Sequence, residues 1–174
     1  YVINASSGAL TQLKGSPFAA GSAPRKVAIS GKFVYVTNSN SNNVSAYVIN
    51  AKNGRLAQVP GSPFAAGSSP IGVATDPTGP FVYVTDHSSD TVSAYVINPE
   101  SGALTQVQGS PFAAGHYPTA VAIDPTGEFA YVANIGGHRG RVSAFAINAG
   151  SGALTQVPGS PFKAGNNPFD VAVQ

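Results

Sequence analysis

The chain has 174 residues, which fits a single domain. It contains no cysteine, so disulfide scaffolds, thiolate metal sites and cysteine nucleophiles are excluded. Only 9% of the residues are charged and the formal net charge is +2, so the electrostatic field is weak and nucleic acid is not expected as a partner.

One tetrapeptide, Gly-Ser-Pro-Phe, occurs four times, beginning at residues 15, 61, 109 and 159. The copies are 46, 48 and 50 residues apart, and other segments recur around each of them in a fixed order. This regular spacing indicates an array of one repeated structural unit. The phenylalanine of the tetrapeptide recurs at one place in every unit, and we expect it to pack between units.

Each unit is predicted to contain four strands, named a to d from the axis of the array outward. The segments are rich in β-branched and aromatic residues and show no helical period. Strand a is predicted at 26–29, 71–75, 119–124 and 169–173; strand b at 33–37, 81–85 and 129–133; strand c at 1–4, 44–50, 92–98 and 142–148; strand d at 9–13, 55–59, 103–107 and 153–157.

Turn residues separate the predicted strands. The tetrads 76–79 and 124–127 both read Asp-Pro-Thr-Gly, in which Asp can bond the backbone and Pro presets φ. The pattern Asn-x-x-Ser-Gly at 98–102 and 148–152 predicts the turn between strands c and d, where the glycine can adopt a positive φ.

A period of 40–50 residues with four strands is typical of a β-propeller blade. Both faces of a blade pack on neighbours, which explains strands that are apolar without alternation. We therefore predict an all-β fold, a β-propeller of four-stranded antiparallel blades, with about three and a half blades, or half a ring. The predicted units are 1–23 (strands c and d), 24–68, 69–116, 117–166 and 167–174 (strand a).

A short motif at the end of strand b resembles that of a known family. Tyr35-Val36-Thr37-Asn38 is similar to the signature of the YVTN-repeat β-propellers of bacteria and archaea, and residues 83–86 and 131–134 are close variants. The resemblance implies a ring of about seven blades. It also implies a link to surface-layer proteins and to lactonase-like propellers such as 6-phosphogluconolactonase and the muconate-lactonizing enzymes.

Half a ring would leave two open blade faces of the apolar kind that marks an interface. We therefore expect the chain to associate with itself, as a dimer that completes one ring. The alternative is that the chain is a fragment of a longer gene product.

The loops that join strands b to c and d to a vary between units, whereas the a–b and c–d turns barely vary. All three histidines lie in these variable loops, which predicts a face that binds a small ligand or an anion. The alternative is that the loops have simply drifted. The candidate ligand-binding residues are His87, His116, Tyr117, His138, Arg139, Arg141 and Arg25.

Asp86, His87 and Asp90 offer oxygen and nitrogen atoms on one loop, but such a group is common by chance, and no metal or cofactor is expected. The two glutamates, Glu100 and Glu128, fall in turns on the opposite face, and strand a is mostly small or apolar. The sequence therefore predicts no catalytic residue.

We expect a non-catalytic binding or structural propeller module, with a lactonase-like hydrolase that uses the His- and Arg-bearing loops as the alternative. The family resemblance and the composition point to an extracytoplasmic or cell-surface protein. The chain shows no signal segment and no apolar run of membrane-spanning length.

Overall fold

The computed structural model describes residues 1–137 and 139–173. All the secondary-structure elements in this part of the chain are β-strands, and it contains no helix that is long and apolar enough to cross a membrane. The strands are β1 (Val2–Ile3), β2 (Leu10–Thr11), β3 (Pro24–Ser30), β4 (Phe33–Asn38), β5 (Asn43–Ile49), β6 (Leu56–Gln58), β7 (Phe64–Ala65), β8 (Pro70–Thr75), β9 (Phe81–Asp86), β10 (Thr91–Ile97), β11 (Leu104–Gln106), β12 (Phe112–Ala113), β13 (Pro118–Ile123), β14 (Phe129–Asn134), β15 (Arg141–Ile147), β16 (Leu154–Gln156) and β17 (Phe162–Lys163).

The strands form three antiparallel sheets of the same design and one separate hairpin. The four-stranded meanders β3–β6, β8–β11 and β13–β16 are here named the first, middle and third blades, and β1 pairs with β2. The first strands of the three blades lie side by side, with β8 between β3 and β13. The predicted all-β propeller fold is confirmed.

Each blade also has a two-residue fifth strand, which the sequence analysis did not predict. β7 pairs with the first two residues of β5, Asn43 and Val44, and β12 and β17 repeat this pairing in the other two blades. The serine of Gly-Ser-Pro-Phe makes this possible, because the hydroxyl of Ser62 accepts a hydrogen bond at 2.8 Å from the N–H of Ala46 in strand β5. Ser110 and Ser160 do the same for Ala94 and Ala144.

The phenylalanines that follow these serines pack less deeply than expected. Phe64 and Phe112 are half-buried against the two main hydrophobic clusters. Phe162 is 46% exposed, because no described blade covers that side of the third blade.

The strand predicted at 169–173 does not form, and that prediction is wrong. Phe169 is 67% exposed, and the segment has no strand assignment. A strand needs a partner to take up its backbone hydrogen bonds, and none of the described strands pairs with this segment.

Two hydrophobic clusters hold the blades together, one at each junction. At the first junction, Phe33 and Val44 of the first blade meet Val82 and Tyr95 of the middle blade. At the second junction, Tyr83 and Val92 of the middle blade meet Val132 and Phe145 of the third blade. Because the middle blade is covered on both faces, its strand β9 is buried along its whole length.

A tyrosine hydroxyl adds a fixed link at each junction. Tyr35 donates to the carbonyl oxygen of Gly102 at 3.1 Å, and Tyr83 donates to that of Gly152 at 3.0 Å. Both glycines lie in the c–d turn of the next blade. Burial raises the pKa of Tyr35 to about 12, so the hydroxyl keeps the proton that the link requires.

Candidate functional site

The b–c and d–a loops lie together on one face of the blades, here named the loop face. In the middle blade the N–H groups of His87 and Ser88 donate to the carbonyls of Ser69 and Ser68, and the other two complete blades repeat this pair of bonds. The loops are therefore built on one backbone frame, and the side chains that it carries decide the chemistry of each junction.

Across the first junction, loop residues make one polar link. Asn42 accepts a hydrogen bond through Oδ1 from the N–H of Ser69 at 2.9 Å. Both residues have a positive φ, near 53°, which is unusual for residues other than glycine. This link joins the first blade to the middle blade.

At the second junction the same positions carry ionisable and aromatic side chains. Asp90 in the middle blade stands at the position that Asn42 has in the first blade. It accepts through Oδ1 from the N–H of Tyr117 at 2.9 Å, which leaves Oδ2 for a second partner. That partner is the Nδ1 atom of His116, at 3.0 Å. The carboxylate of Asp90 thus holds His116 and Tyr117. These two residues belong to the loop that leads into strand β13, here named the entry loop of the third blade.

His87, Tyr117 and His116 form a row of rings at this junction. The rings of His87 and Tyr117 are stacked, with centroids 5.0 Å apart and planes inclined by 25°. The His116 ring lies 4.9 Å from that of Tyr117 on a tilted plane. The structure therefore brings together three of the residues that the sequence analysis named as ligand-binding candidates.

The imidazole of His87 has a defined hydrogen-bonding arrangement. Its Nδ1 atom lies 3.3 Å from the carbonyl oxygen of Pro118. A carbonyl can only accept, so Nδ1 is the proton donor in this contact, and in the neutral imidazole Nε2 then has the lone pair. A general base uses such a lone pair to accept a proton.

His87 lines a cleft of about 500 Å³ where the first strands of the blades meet at the loop face, here named the axial cleft. Its walls combine apolar side chains with cationic ones, a composition typical of small-molecule sites. The lining residues are Arg25, Lys26, Ile71, His87, Thr119, Ile135, Phe169 and Asp170.

The cations of the cleft are held in two ways. Arg25 donates through Nε to the hydroxyl of Ser39 at 3.1 Å, which fixes the guanidinium through one of its nitrogens. The Nζ of Lys26 lies 3.1 Å from Oδ2 of Asp170, and both side chains of this pair are well exposed. Such an exposed pair contributes little to stability, so Lys26 would exchange Asp170 for an anionic ligand at small cost.

Two further candidates, Arg139 and Arg141, lie outside this cleft. Arg139 lines a separate polar hollow with Asn166 and Asn167, and Arg141 donates through Nη1 to the carbonyl of Pro161 at 3.3 Å. His138 lies outside the described residues.

Asp86 is a structural residue and is not open to a ligand. It is fully buried, and it accepts hydrogen bonds from the N–H of Gly67 at 3.0 Å and the hydroxyl of Ser93 at 2.7 Å. Burial raises its pKa to about 6. Among the described residues, no group of three or more His, Asp or Glu side chains is placed to hold a metal ion.

Six residues that line the axial cleft were not among the candidates named from the sequence: Lys26, Ile71, Thr119, Ile135, Phe169 and Asp170. Lys26 and Asp170 each lie two residues after the proline that precedes or opens a strand-a segment, so the repeat places both near the axis, but it does not show that they meet. Thr119 and Ile135 carry no comparable signal.

A second cleft of about 390 Å³ lies on the opposite face at the first junction. The turn between β3 and β4 has two residues, whereas its counterparts in the other two blades have five. Phe33, Pro80 and Ile97 line the space. At the second junction the longer turns of the middle and third blades pack against each other. A Cβ added to Gly127 would lie 2.1 Å from Thr78 Oγ1, so the equivalent space is filled there. The second cleft is largely apolar and contains Lys32 as its one charged lining residue.

Solved structures share this arrangement of blades. A protein assigned as a 6-phosphogluconolactonase from Bacteroides fragilis is 23% identical, with a TM-score of 0.77 over 96% of this chain and 47% of its own. A similarly assigned protein from Bacteroides uniformis is 21% identical, with a TM-score of 0.77 over 88% of this chain and 48% of its own. At these identities the likeness shows the fold alone.

The periplasmic gluconolactonase PpgL of Pseudomonas aeruginosa is 28% identical, with a TM-score of 0.66 over 84% of this chain and 43% of its own. The chain thus spans less than half the length of these structural relatives. No curated protein sequence gives a significant match.

The comparison with family models is decisive. The model described as lactonase, seven-bladed β-propeller, matches residues 1–173. This match covers almost the whole chain and agrees with the blades seen in the structure, so the chain belongs to the lactonase family of seven-bladed β-propellers.

Proposed function

We propose that this chain forms part of a lactone hydrolase whose reaction takes place in the axial cleft. One observation carries the proposal. The cleft holds an imidazole, that of His87, with its Nδ1 set against a backbone carbonyl, and the Arg25 guanidinium lines the same space. A base and a cation in one partly apolar cleft are what the hydrolysis of a cyclic ester needs.

The chemistry assigns a role to each side chain. Nε2 of His87 takes a proton from water as the oxygen attacks the lactone carbonyl carbon. Arg25 stabilises the negative charge that develops on the carbonyl oxygen. When the ring C–O bond breaks, the proton passes to the departing oxygen, and the product is a hydroxy acid.

The charge of the cleft points to a substrate class. Arg25 and Lys26 are both cationic, and the one carboxylate that lines the cleft, that of Asp170, is paired with Lys26. Arginine and lysine are the residues that bind carboxylate and phosphate groups. We propose an anionic sugar lactone as the substrate, which is consistent with the names of the structural relatives.

The test is a kinetic comparison on glucono-1,5-lactone and its 6-phosphate, measured above the uncatalysed background. His87→Gln keeps the size of the side chain and removes the base, so kcat should fall by about 10²- to 10⁴-fold. Arg25→Gln removes the cation assigned to the carbonyl oxygen, so kcat should fall for both lactones. Lys26→Gln should raise KM more for the phosphorylated lactone than for the neutral one. Arg55→Gln, an exposed change away from the cleft, is the matched control and should leave both constants unchanged.

The second candidate is ligand binding without turnover, as the sequence analysis expected. The small residues of the axis favour this function, because they bring no catalytic group. Gly72 lies so close to the next strand that an added Cβ would meet the backbone of Ala120 at 2.9 Å. Binding of gluconate or 6-phosphogluconate that depends on Arg25, without hydrolysis of either lactone, would support this function and overturn the hydrolase.

We also propose that the open blade faces are covered by a second copy of the chain. Tyr131 is the counterpart of Tyr35 and Tyr83, yet no acceptor for its hydroxyl lies among the described residues. Sedimentation at micromolar concentration should show about twice the 17.5 kDa of one chain. A stable species of one-chain mass would contradict this proposal.

For location, we propose an extracytoplasmic protein. The relative from Pseudomonas aeruginosa is named as periplasmic, and the low charge and lack of cysteine suit an exposed β-protein. Fractionation of the source cells with an antibody against this chain tests the proposal, and recovery in the cytoplasm alone would contradict it.

A further inference from the structure

The structure assigns to Asp90 the role of a positioning residue for the axial cleft. We propose that its carboxylate holds the entry loop of the third blade so that the Tyr117 ring keeps the His87 imidazole in its catalytic orientation. This inference deepens the proposed function and rests on His87 being the base.

The two junctions share a backbone link but differ in the side chains around it. Asn42 and Ser69 show that the backbone link alone needs only an amide oxygen and an N–H. At the second junction the acceptor is Asp90, and the two residues at the positions of Ser68 and Ser69 are His116 and Tyr117. The extra side chains are therefore not required to join two blades.

Asp90 makes two contacts with the entry loop of the third blade. Oδ1 binds the N–H of Tyr117, whose φ of 53° recurs at the equivalent Ser69 and so belongs to the backbone frame of the loop. Oδ2 contacts Nδ1 of His116. One carboxylate therefore holds both the backbone of Tyr117 and the ring of the preceding residue, His116.

Tyr117 connects this loop to the cleft. Its ring stacks on His87, while the carbonyl of the next residue, Pro118, receives the Nδ1 proton of the same imidazole. A loop that shifts at Tyr117 therefore changes both the ring contact and the hydrogen bond that select the tautomer of His87. A displacement of about 1 Å at a reacting group can lower a rate by about 100-fold.

Three variants separate this role from a general loss of structure. Asp90→Asn keeps an oxygen for the Tyr117 N–H, as Asn42 does at the first junction, and should retain kcat within about threefold. Asp90→Ala removes the acceptor and should lower kcat by about 10- to 100-fold with little change in KM. Tyr117→Ser recreates the residue of the first junction, keeps the N–H, and should also lower kcat.

The second readout does not depend on activity. Long-range ¹H–¹⁵N spectra report the tautomer of each histidine, and His87 should carry its proton on Nδ1 in the unchanged protein and in Asp90→Asn. Asp90→Ala and Tyr117→Ser should shift His87 toward a mixture of tautomers. Asp124→Ala removes a carboxylate from a turn on the opposite face and should change neither readout.

The outcomes are distinguishable. If the unchanged protein hydrolyses no lactone but the His87 tautomer depends on Asp90 and Tyr117 as described, the proposed function fails and the positioning role stands. If the tautomer and kcat are the same in all three variants as in the unchanged protein, the positioning role is overturned. A loss in Asp90→Asn equal to that in Asp90→Ala would also overturn it, because the amide oxygen should be sufficient.

Discussion

The two blade junctions are built alike but differ in their chemistry. In both, a tyrosine hydroxyl reaches a glycine carbonyl of the next blade, and in both a loop side chain accepts the N–H of a residue with positive φ. Only the second junction adds the row of rings that ends at the axial cleft. The comparison shows that the repeated residues determine how the blades join, and the substituted residues determine what the joined blades can do.

The largest effect on stability is expected where the c–d turn of the middle blade touches the first blade. Gly102 has a φ of +77°, and a Cβ added there would lie 2.4 Å from the Phe33 ring. Gly102→Ala should therefore lower the free energy of unfolding by about 3–5 kcal/mol, because backbone strain and overpacking add. Denaturant unfolding measures this value.

The control for that change is Gly8→Ala. Gly8 has a similar φ of +70° but no atom within 4 Å of the added Cβ. The loss should be about 1–2 kcal/mol, the cost of the backbone conformation alone. Equal losses at the two glycines would show that contact between the blades at Phe33 does not contribute.

The next effect concerns the buried carboxyl of the middle blade. The pKa of Asp86 is raised to about 6, whereas its ordinary value is 3.8, so the unfolded chain loses this proton at lower pH than the folded one. The free energy of unfolding should then fall as pH rises from about 4 to about 6, by up to about 3 kcal/mol. Asp86→Asn should abolish this fall and stabilise the protein at pH 7.

The first blade supplies the reciprocal test. Asn38 stands at the position of Asp86, and its Nδ2 donates to the hydroxyl of Ser45 at 2.9 Å. Asn38→Asp should introduce a fall in stability over the same pH range. Unfolding curves at pH 4, 5, 6 and 7 decide between a local effect of burial and a general effect of net charge.

A smaller effect is expected at the tyrosine links. Tyr83→Phe leaves the buried carbonyl of Gly152 without its partner and should cost about 1–3 kcal/mol. Tyr35→Phe should match it at the first junction. For Tyr131→Phe we expect less than about 0.5 kcal/mol in an isolated chain, the value usual for sites without such a feature. A loss equal to that at Tyr83 would indicate that another blade packs there.

The smallest effect compares two valines at the same position of strand a. Val73 is 8% exposed at the first junction, whereas Val27 is 61% exposed on the open side of the first blade. Val73→Ala should cost about 1–2 kcal/mol, and Val27→Ala less than about 0.5 kcal/mol. Thermal unfolding of both variants tests whether burial, and not membership of a strand, decides how much the side chain contributes to stability.

Much of the fold could be predicted because it repeats. The units, the strand order and the turns all follow from residues that recur in each copy, such as the Asp-Pro-Thr-Gly tetrads. The two-residue fifth strands could not be predicted, since two residues carry too little pattern. The absence of a strand at 169–173 depends on a neighbour and not on local preference, because the same residue types form strands in β8 and β13.

The candidate site was predicted only in part. The sequence identified the loop face and named His87, His116, Tyr117 and Arg25, because these residues depart from the repeat. It also grouped Arg139 and Arg141 with them, which the structure separates into other surroundings. Position along a loop does not tell which way a side chain points.

By itself, the sequence determined the blade, since each unit carries its own strand pattern and turn chemistry. Only the tertiary structure decided which residues meet. Lys26 and Asp170 are 144 positions apart, yet their charged groups lie 3.1 Å from each other. Asp90 and His116 come from different blades and meet at one loop junction. Contacts of this kind arise from the packing of whole blades around an axis, and no local pattern of residues encodes that packing.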